Sequence, residues 1–93
     1  LEIDFDRQKV FLKKDGKERD LLLTGIELKI LAFLSKRMEQ VYSREQILSE
    51  VWGHSYITDR TVDSHIAHLR GKIEEASLKI DTVKNIGYRM ISK

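Results

Sequence analysis

The sequence predicts an α+β domain in which a small antiparallel sheet is followed by three helices and a C-terminal β-hairpin. Three observations carry that reading. Apolar residues alternate with polar ones at the start of the chain, short β-like runs return at its end, and helical spacing rules between them. Two capping boxes, Thr24-Gly-Ile-Glu27 and Ser43-Arg-Glu-Gln46, mark helix starts, because a hydroxyl there accepts from the third helical N–H while the Glu or Gln reaches back. Two turn signals, Asp15-Gly16 and Lys84-Asn-Ile-Gly87, mark hairpins.

The elements follow in order. Leu1-Glu-Ile-Asp-Phe5 alternates as a strand does, Val10-Phe-Leu12 is a short apolar strand before the Asp15-Gly16 turn, and Leu21-Leu-Leu23 closes the antiparallel stretch. Thr24 then opens the first helix, with Leu23 and Leu28 placed as a hydrophobic staple across the cap. Ile26, Ile30, Phe33 and Leu34 continue it to about Lys36 or Arg37. Val41-Tyr-Ser43 is a short β-like link. Ile47, Leu48, Val51 and Trp52 make the second helix, stapled by Tyr42 and Ile47, and Gly53 stops it. The loop Gly53–Ile57 leads to a third helix capped by Thr58 or Asp59 and running to Ile73. Ile80–Val83 and Tyr88–Ile91 form the final hairpin.

Composition bounds the function. With 93 residues and no proline the chain is expected to be one domain, 1–93, with a thin core. No apolar run approaches the ~20 residues that span a bilayer, and no signal-peptide pattern opens the chain. Cysteine is absent, which removes disulfides and thiolate metal sites and fits a cytoplasmic setting. The first residue is Leu1, so the chain is read as a piece of a longer protein. Net charge is only +2. Basic and acidic side chains balance at six each over residues 1–20 and four each over 21–57; over 58–93 there are seven basic and five acidic. The positive excess therefore lies in the last third, a weak pointer towards an anionic partner that a solvated face also explains.

The third helix carries the sharper signal. Val62, Ile66, Leu69 and Ile73 fall on one narrow stripe, which must be the buried face. Opposite it lie Thr61, Ser64, His65, His68 and Lys72, flanked by Arg60 and Arg70. Short hydrogen-bonding side chains permit close approach to base edges, and flanking arginines suit phosphates. A plain amphipathic helix with a mildly polar exterior gives the same pattern. Lys84 and Asn85 sit at the hairpin tip, where a cation can enter a minor groove or simply be solvated. Arg44 stands where the second helix leaves free N–H groups, a combination that suits phosphate. Trp52 reads first as core, with an indole N–H that can donate at the rim. His65 and His68 lie three apart, but no cysteine or carboxylate completes a zinc site, and there is no nucleophile–base set and no Gly-rich phosphate loop. No metal, cofactor or enzymatic activity is expected.

Read together, Ser43-Arg-Glu-Gln-Ile-Leu48, Val51-Trp-Gly53, Arg60-Thr-Val-Asp-Ser-His-Ile66 with Leu69-Arg70, Thr82-Val83 and Gly87-Tyr-Arg89 occur in one order. With the Thr24-x-x-Glu27 entry, they resemble the effector domain of the OmpR/PhoB response regulators over nearly the whole chain. The resemblance implies a winged helix-turn-helix: a recognition helix at about 59–74 in the major groove and a wing at about 80–91 near the minor groove. It implies sequence-specific binding of double-stranded DNA by a two-component transcription regulator in a bacterial cytoplasm. Tandem head-to-tail copies on direct repeats and an upstream receiver domain belong to the same expectation.

Residue by residue, the resemblance places Arg44 and Trp52 at phosphate-contact positions and Arg60 and Arg70 as backbone-binding arginines. It places Thr61, Asp63, Ser64 and His65 at the groove, Thr82 and Tyr88 at the backbone near the wing, and Lys84 where an arginine commonly enters the minor groove. Gly53, His54, Ser55, Tyr56 and Ile57 match the loop through which relatives touch RNA polymerase. The chain departs from the family at Ala67 and His68, where many members carry two arginines, at Gly71, commonly basic, and at Asn85, usually glycine. A winged-helix protein-interaction module without DNA binding, or the cytoplasmic part of a membrane-anchored regulator, are the alternatives.

Overall fold

Two β regions bracket three helices, in the order β1 (Glu2–Asp4), β2 (Lys9–Lys14), β3 (Lys17–Asp20), α1 (Gly25–Ser35), α2 (Arg44–Trp52), α3 (Asp59–Lys72), β4 (Leu78–Val83) and β5 (Gly87–Ser92). The structure is a computed structural model that describes residues 2–4, 6–7, 9–53 and 59–93. β1, β2 and β3 form one antiparallel sheet in sequence order, and β4 and β5 form a hairpin.

The first sheet is built differently from the sequence expectation at one strand. Asp15 (φ 55°) and Gly16 (φ 76°) are both left-handed, as a two-residue hairpin turn requires, so Lys14 pairs directly with Lys17. That register starts the third strand at Lys17, and the strand is the polar Lys17–Asp20 rather than Leu21–Leu23. The leucines instead make the exit. Leu21 is buried and donates its N–H to the Val10 carbonyl at 2.9 Å. Leu22 turns outward at φ 55°, its N–H held by Asp20 Oδ1 at 2.9 Å. Leu23 packs on the core edge. Of the three leucines only Leu21 is fully buried.

Both capping boxes form. Glu27 N–H donates to Thr24 Oγ1 at 3.2 Å, and Thr24 N–H donates back to Glu27 Oε1 at 2.8 Å. At α2, the Gln46 N–H to Ser43 Oγ bond is 3.1 Å and the return bond to Gln46 Oε1 is 2.8 Å. Gly53 ends α2 at φ 66° with its N–H on the Ser49 carbonyl. Such a cap needs a residue that tolerates positive φ.

The stripe on α3 is buried as its spacing requires: Val62, Ile66, Leu69 and Ile73 are at most 1% exposed. They meet Ile30, Leu31 and Leu34 of α1 and Ile47 and Val51 of α2 in one core that reaches Ile80, Tyr88 and Met90 of the hairpin. At about 1.5–3 kcal/mol for each fully buried large aliphatic, this stripe dominates what fixes α3. The hairpin is anchored to the helices by backbone. Tyr42, just before α2, exchanges N–H···O bonds of 2.8 and 2.9 Å with Tyr88. Gly87 lies so close that a Cβ there would sit 1.9 Å from the Tyr42 carbonyl oxygen. The strands run two residues earlier and one later than the apolar runs alone indicate, because pairing continues into exposed positions.

Candidate nucleic-acid interface

With the stripe of α3 locked inward, its other face is fixed by geometry. Arg60, Ser64, Ala67, His68 and Gly71 are exposed and Thr61 is partly so. His65 is half-buried because its ring leans on Trp52, with centroids 5.3 Å apart. Trp52 is itself packed on the core edge, so it is both core and rim.

A polar network ties this helix to its neighbours. Asp63 Oδ1 accepts from Arg44 Nε at 2.9 Å and from the Tyr88 hydroxyl at 2.5 Å. The Asp63 carboxylate raises the Arg44 pKa above its ordinary value. Burial, with the bond to Asp63, pushes the Tyr88 phenol up as well. Arg70 donates from Nε to the Ile80 carbonyl at 3.0 Å and from a terminal nitrogen to Thr82 Oγ1, and its guanidinium lies 5.5 Å from the Tyr88 ring centre. Asp63 and Arg70, both of α3, therefore converge on Tyr88 of β5.

Above this network is a cleft between the start of α2, at Ser43 and Arg44, and the hairpin at Thr82, Asn85 and Ile86. The first N–H groups of a helix carry partial positive charge, and Arg44 adds a full one. Lys84, Asn85 and Ile86 are exposed at the hairpin tip. Asn85 adopts φ 65°, which explains why this position suits glycine: asparagine is the side chain that tolerates the left-handed region best.

The structure gives three of the sequence-predicted residues partners within the protein. Lys72 was expected on the outer face. Its ammonium instead donates to Glu27 Oε1 at 2.7 Å and to the Leu22 carbonyl at 3.0 Å, because the long side chain reaches the nearly buried cap of α1. Burial pushes the Glu27 carboxyl up, but Lys72 and Thr24 together outweigh it and hold the group below its ordinary value. Asp63 was expected at the groove, and its nearer oxygen is already occupied by Arg44 and Tyr88. Tyr88 spends its hydroxyl proton on Asp63 and its N–H on Tyr42, so neither is left to donate outward. Thr82 is different: its oxygen accepts from Arg70, which leaves its own O–H to donate.

Of the loop, Gly53 is described, while His54, Ser55, Tyr56 and Ile57 lie outside the described residues, as does the candidate cap Thr58. Ile86, which the sequence reading did not single out, is 61% exposed at the hairpin tip. Among the described residues no group of three or more His, Asp or Glu converges as a metal site, and no helix is long and apolar enough to cross a membrane.

Comparison with known proteins gives one consistent neighbourhood. Residues 16–90 match the family described as "Transcriptional regulatory protein, C terminal". The chain is 43% identical over 94 residues to the transcriptional regulatory protein ResD of Bacillus subtilis, covering 96% of this chain and 38% of that protein. Thus the chain spans well under half the length of that relative. Its fold matches the DNA-binding domain of the response regulator AdeR, solved in complex with an intercistronic region, with a TM-score of 0.85, 33% identity and coverage of 98% and 93%. It also matches the DNA-binding domain of Bacillus subtilis CssR, with a TM-score of 0.83, 38% identity and coverage of 96% and 97%.

Proposed function

The chain belongs to the family of transcriptional regulatory protein C-terminal domains, of the OmpR/PhoB response-regulator type, and from that premise we propose how it reads double-stranded DNA. It is a winged-helix output domain of a transcription regulator, not an enzyme. α3 enters the major groove, with Thr61, Ser64, His65 and His68 towards base edges. Arg44, Trp52, Arg60, Arg70 and Thr82 hold phosphates around it, and Lys84 reaches the minor groove from the wing tip. Asp63, Tyr88 and Lys72 act inside the protein.

The observation that carries this reading is the disposition of α3. Its apolar stripe is fully buried, which forces a face of short polar side chains outward. Arg70 and Tyr88 brace that helix against the wing, so helix and wing present one rigid surface. Phosphate contacts set the register, and the short side chains carry the base preference.

Four wider proposals follow from the family. A receiver domain lies upstream of this domain in the full protein; that the chain spans only 38% of ResD is compatible with such a further domain. Two copies bind head-to-tail on direct repeats about one helical turn, ~10 bp, apart. The loop 53–57 contacts RNA polymerase, and the protein works in the bacterial cytoplasm.

The low net charge of +2 and the Ala67-His68 pair favour a second reading, an interaction module that has lost DNA binding. A mobility-shift titration separates the two. The DNA reading predicts tighter binding to a selected tandem site than to random duplex; equal affinity for both would count against it, and no binding to either would favour the second.

A further inference from the structure

We propose that Asp63 is a positioning residue, a carboxylate that holds the Arg44 guanidinium and the Tyr88 phenol in place so that the start of α2, the reading helix and the wing meet DNA as one preset surface. The inference rests on the DNA-binding reading above and adds a role to it.

The geometry is specific. One oxygen of Asp63 takes both bonds, from Arg44 Nε at 2.9 Å and from the Tyr88 hydroxyl at 2.5 Å. These partners lie 19 and 25 residues away, on α2 and β5, so a single side chain of α3 joins all three elements. Arg44 uses Nε for this bond and also interacts with the Tyr88 phenol, so its guanidinium is held from two sides while terminal N–H groups remain to meet an anion. Arginine loses much rotamer freedom when it is ordered, and a guanidinium already ordered in the free protein does not lose it again on binding. Tyr88 is fixed from three directions: Asp63 at its hydroxyl, Tyr42 at its backbone and Arg70 at its ring.

A carboxylate beside a phosphate-binding surface is otherwise a liability, because it repels the ligand. That makes the sign of one substitution decisive. If Asp63 acts only as a nearby negative charge, Asp63→Asn strengthens DNA binding. If it reads a base, Asp63→Asn changes base preference. If it positions Arg44, Asp63→Asn weakens binding to every sequence. The Arg44–Asp63 pair is part-exposed, at 51% and 37%, so removing it should leave the fold intact.

The test uses the 93-residue chain and a duplex selected from a random pool. The expected result is that Asp63→Asn lowers affinity roughly tenfold, about 1.4 kcal/mol, on selected and random DNA alike. Arg44→Lys keeps the charge but lacks Nε, and it should lose about as much. Asp63→Asn in an Arg44→Ala background should add under about twofold, since the two act as a unit. Without DNA, NMR of the wild type should show a slowly exchanging Arg44 Nε–H that is lost in Asp63→Ala, which removes the acceptor, with the Tyr88 phenol titrating lower. Equal or tighter binding by Asp63→Asn, wild-type affinity for Arg44→Lys, full additivity, or an altered base preference at unchanged affinity each overturns the proposal. An unprotected Arg44 Nε–H in the wild type overturns it without reference to DNA. A wild-type chain that does not discriminate selected from random DNA overturns instead the reading on which it rests.

Discussion

Replacing Gly87 with alanine should cost this domain about 4 kcal/mol, whereas the same change at Gly71 should stabilise it. At Gly87 an added Cβ would lie 1.9 Å from the Tyr42 carbonyl oxygen, 2.7 Å from its carbon and 2.9 Å from the Ser43 Cα. All three are backbone atoms, so no flexible side chain can swing aside. Relief requires the hairpin to move off the link before α2, which breaks the reciprocal Tyr42–Tyr88 bonds of 2.8 and 2.9 Å. Two such bonds are worth about 1 kcal/mol each, and overpacking adds about 1–3 kcal/mol. Against a total stability of roughly 5–9 kcal/mol for a domain this size, the melting temperature should fall by about 15 °C or more. At Gly71 nothing lies within 4 Å of the added carbon, and the residue sits within α3. Alanine there should gain about 0.5–1 kcal/mol from helix propensity. Urea denaturation followed by circular dichroism measures both. A Gly87→Ala protein within about 1 kcal/mol of wild type, or a destabilised Gly71→Ala, would refute the reasoning.

Other predictions concern charge and reading. Glu27 has a lowered pKa when folded, so its ion pair with Lys72 contributes fully above the unfolded value of 4.5 and fades as pH falls through the lower folded value. Glu27→Gln should therefore cost about 2 kcal/mol at pH 7 and progressively less as pH falls below 4.5; a cost independent of pH would contradict it. Lys72→Met should lower stability while leaving the salt dependence of DNA binding unchanged, and a shallower salt slope would return Lys72 to the interface. With Arg44, Arg60, Arg70 and Lys84 as the cationic contacts, log Kd should vary with log salt with a slope of magnitude about 3.6, and a flat plot would exclude phosphate-led binding. His68→Ala should alter the selected sequence more than the affinity, whereas Arg60→Ala should weaken all sequences about equally; an unchanged sequence preference for His68→Ala removes it from the reading role.

What the sequence made legible was whatever depends on local chemistry. The Thr24 and Ser43 boxes fixed two helix starts because their partners are three residues away. The Val62–Ile73 stripe fixed the face of α3 because burial follows from period. The left-handed Asn85 and Gly16 were readable as turns for the same reason. Long-range partners were not legible. Lys72 looked like one more cation on an outer face, and only the fold brings Glu27, 45 residues away, within its reach. Asp63 sat inside a motif associated with groove approach, but its chemistry is decided by Arg44 and Tyr88 on other elements. Leu21–Leu23 read as a strand by apolarity, yet the Asp15-Gly16 turn starts the paired strand at Lys17, and the left-handed Leu22 turns the chain away just after the Leu21–Val10 bond. Lys72, Asp63 and Tyr88 each have a side-chain partner distant in sequence, which no local pattern could reveal.

The central claim is that the outer face of α3, braced by the wing, reads DNA. Selection of bound duplexes from a random pool by the 93-residue chain tests it most directly. The account predicts enrichment of a direct repeat with half-sites about 10 bp apart, whose base preferences change at Ser64→Ala or His68→Ala. A pool that stays random after repeated rounds, or an enriched sequence indifferent to every substitution on that face, would contradict it.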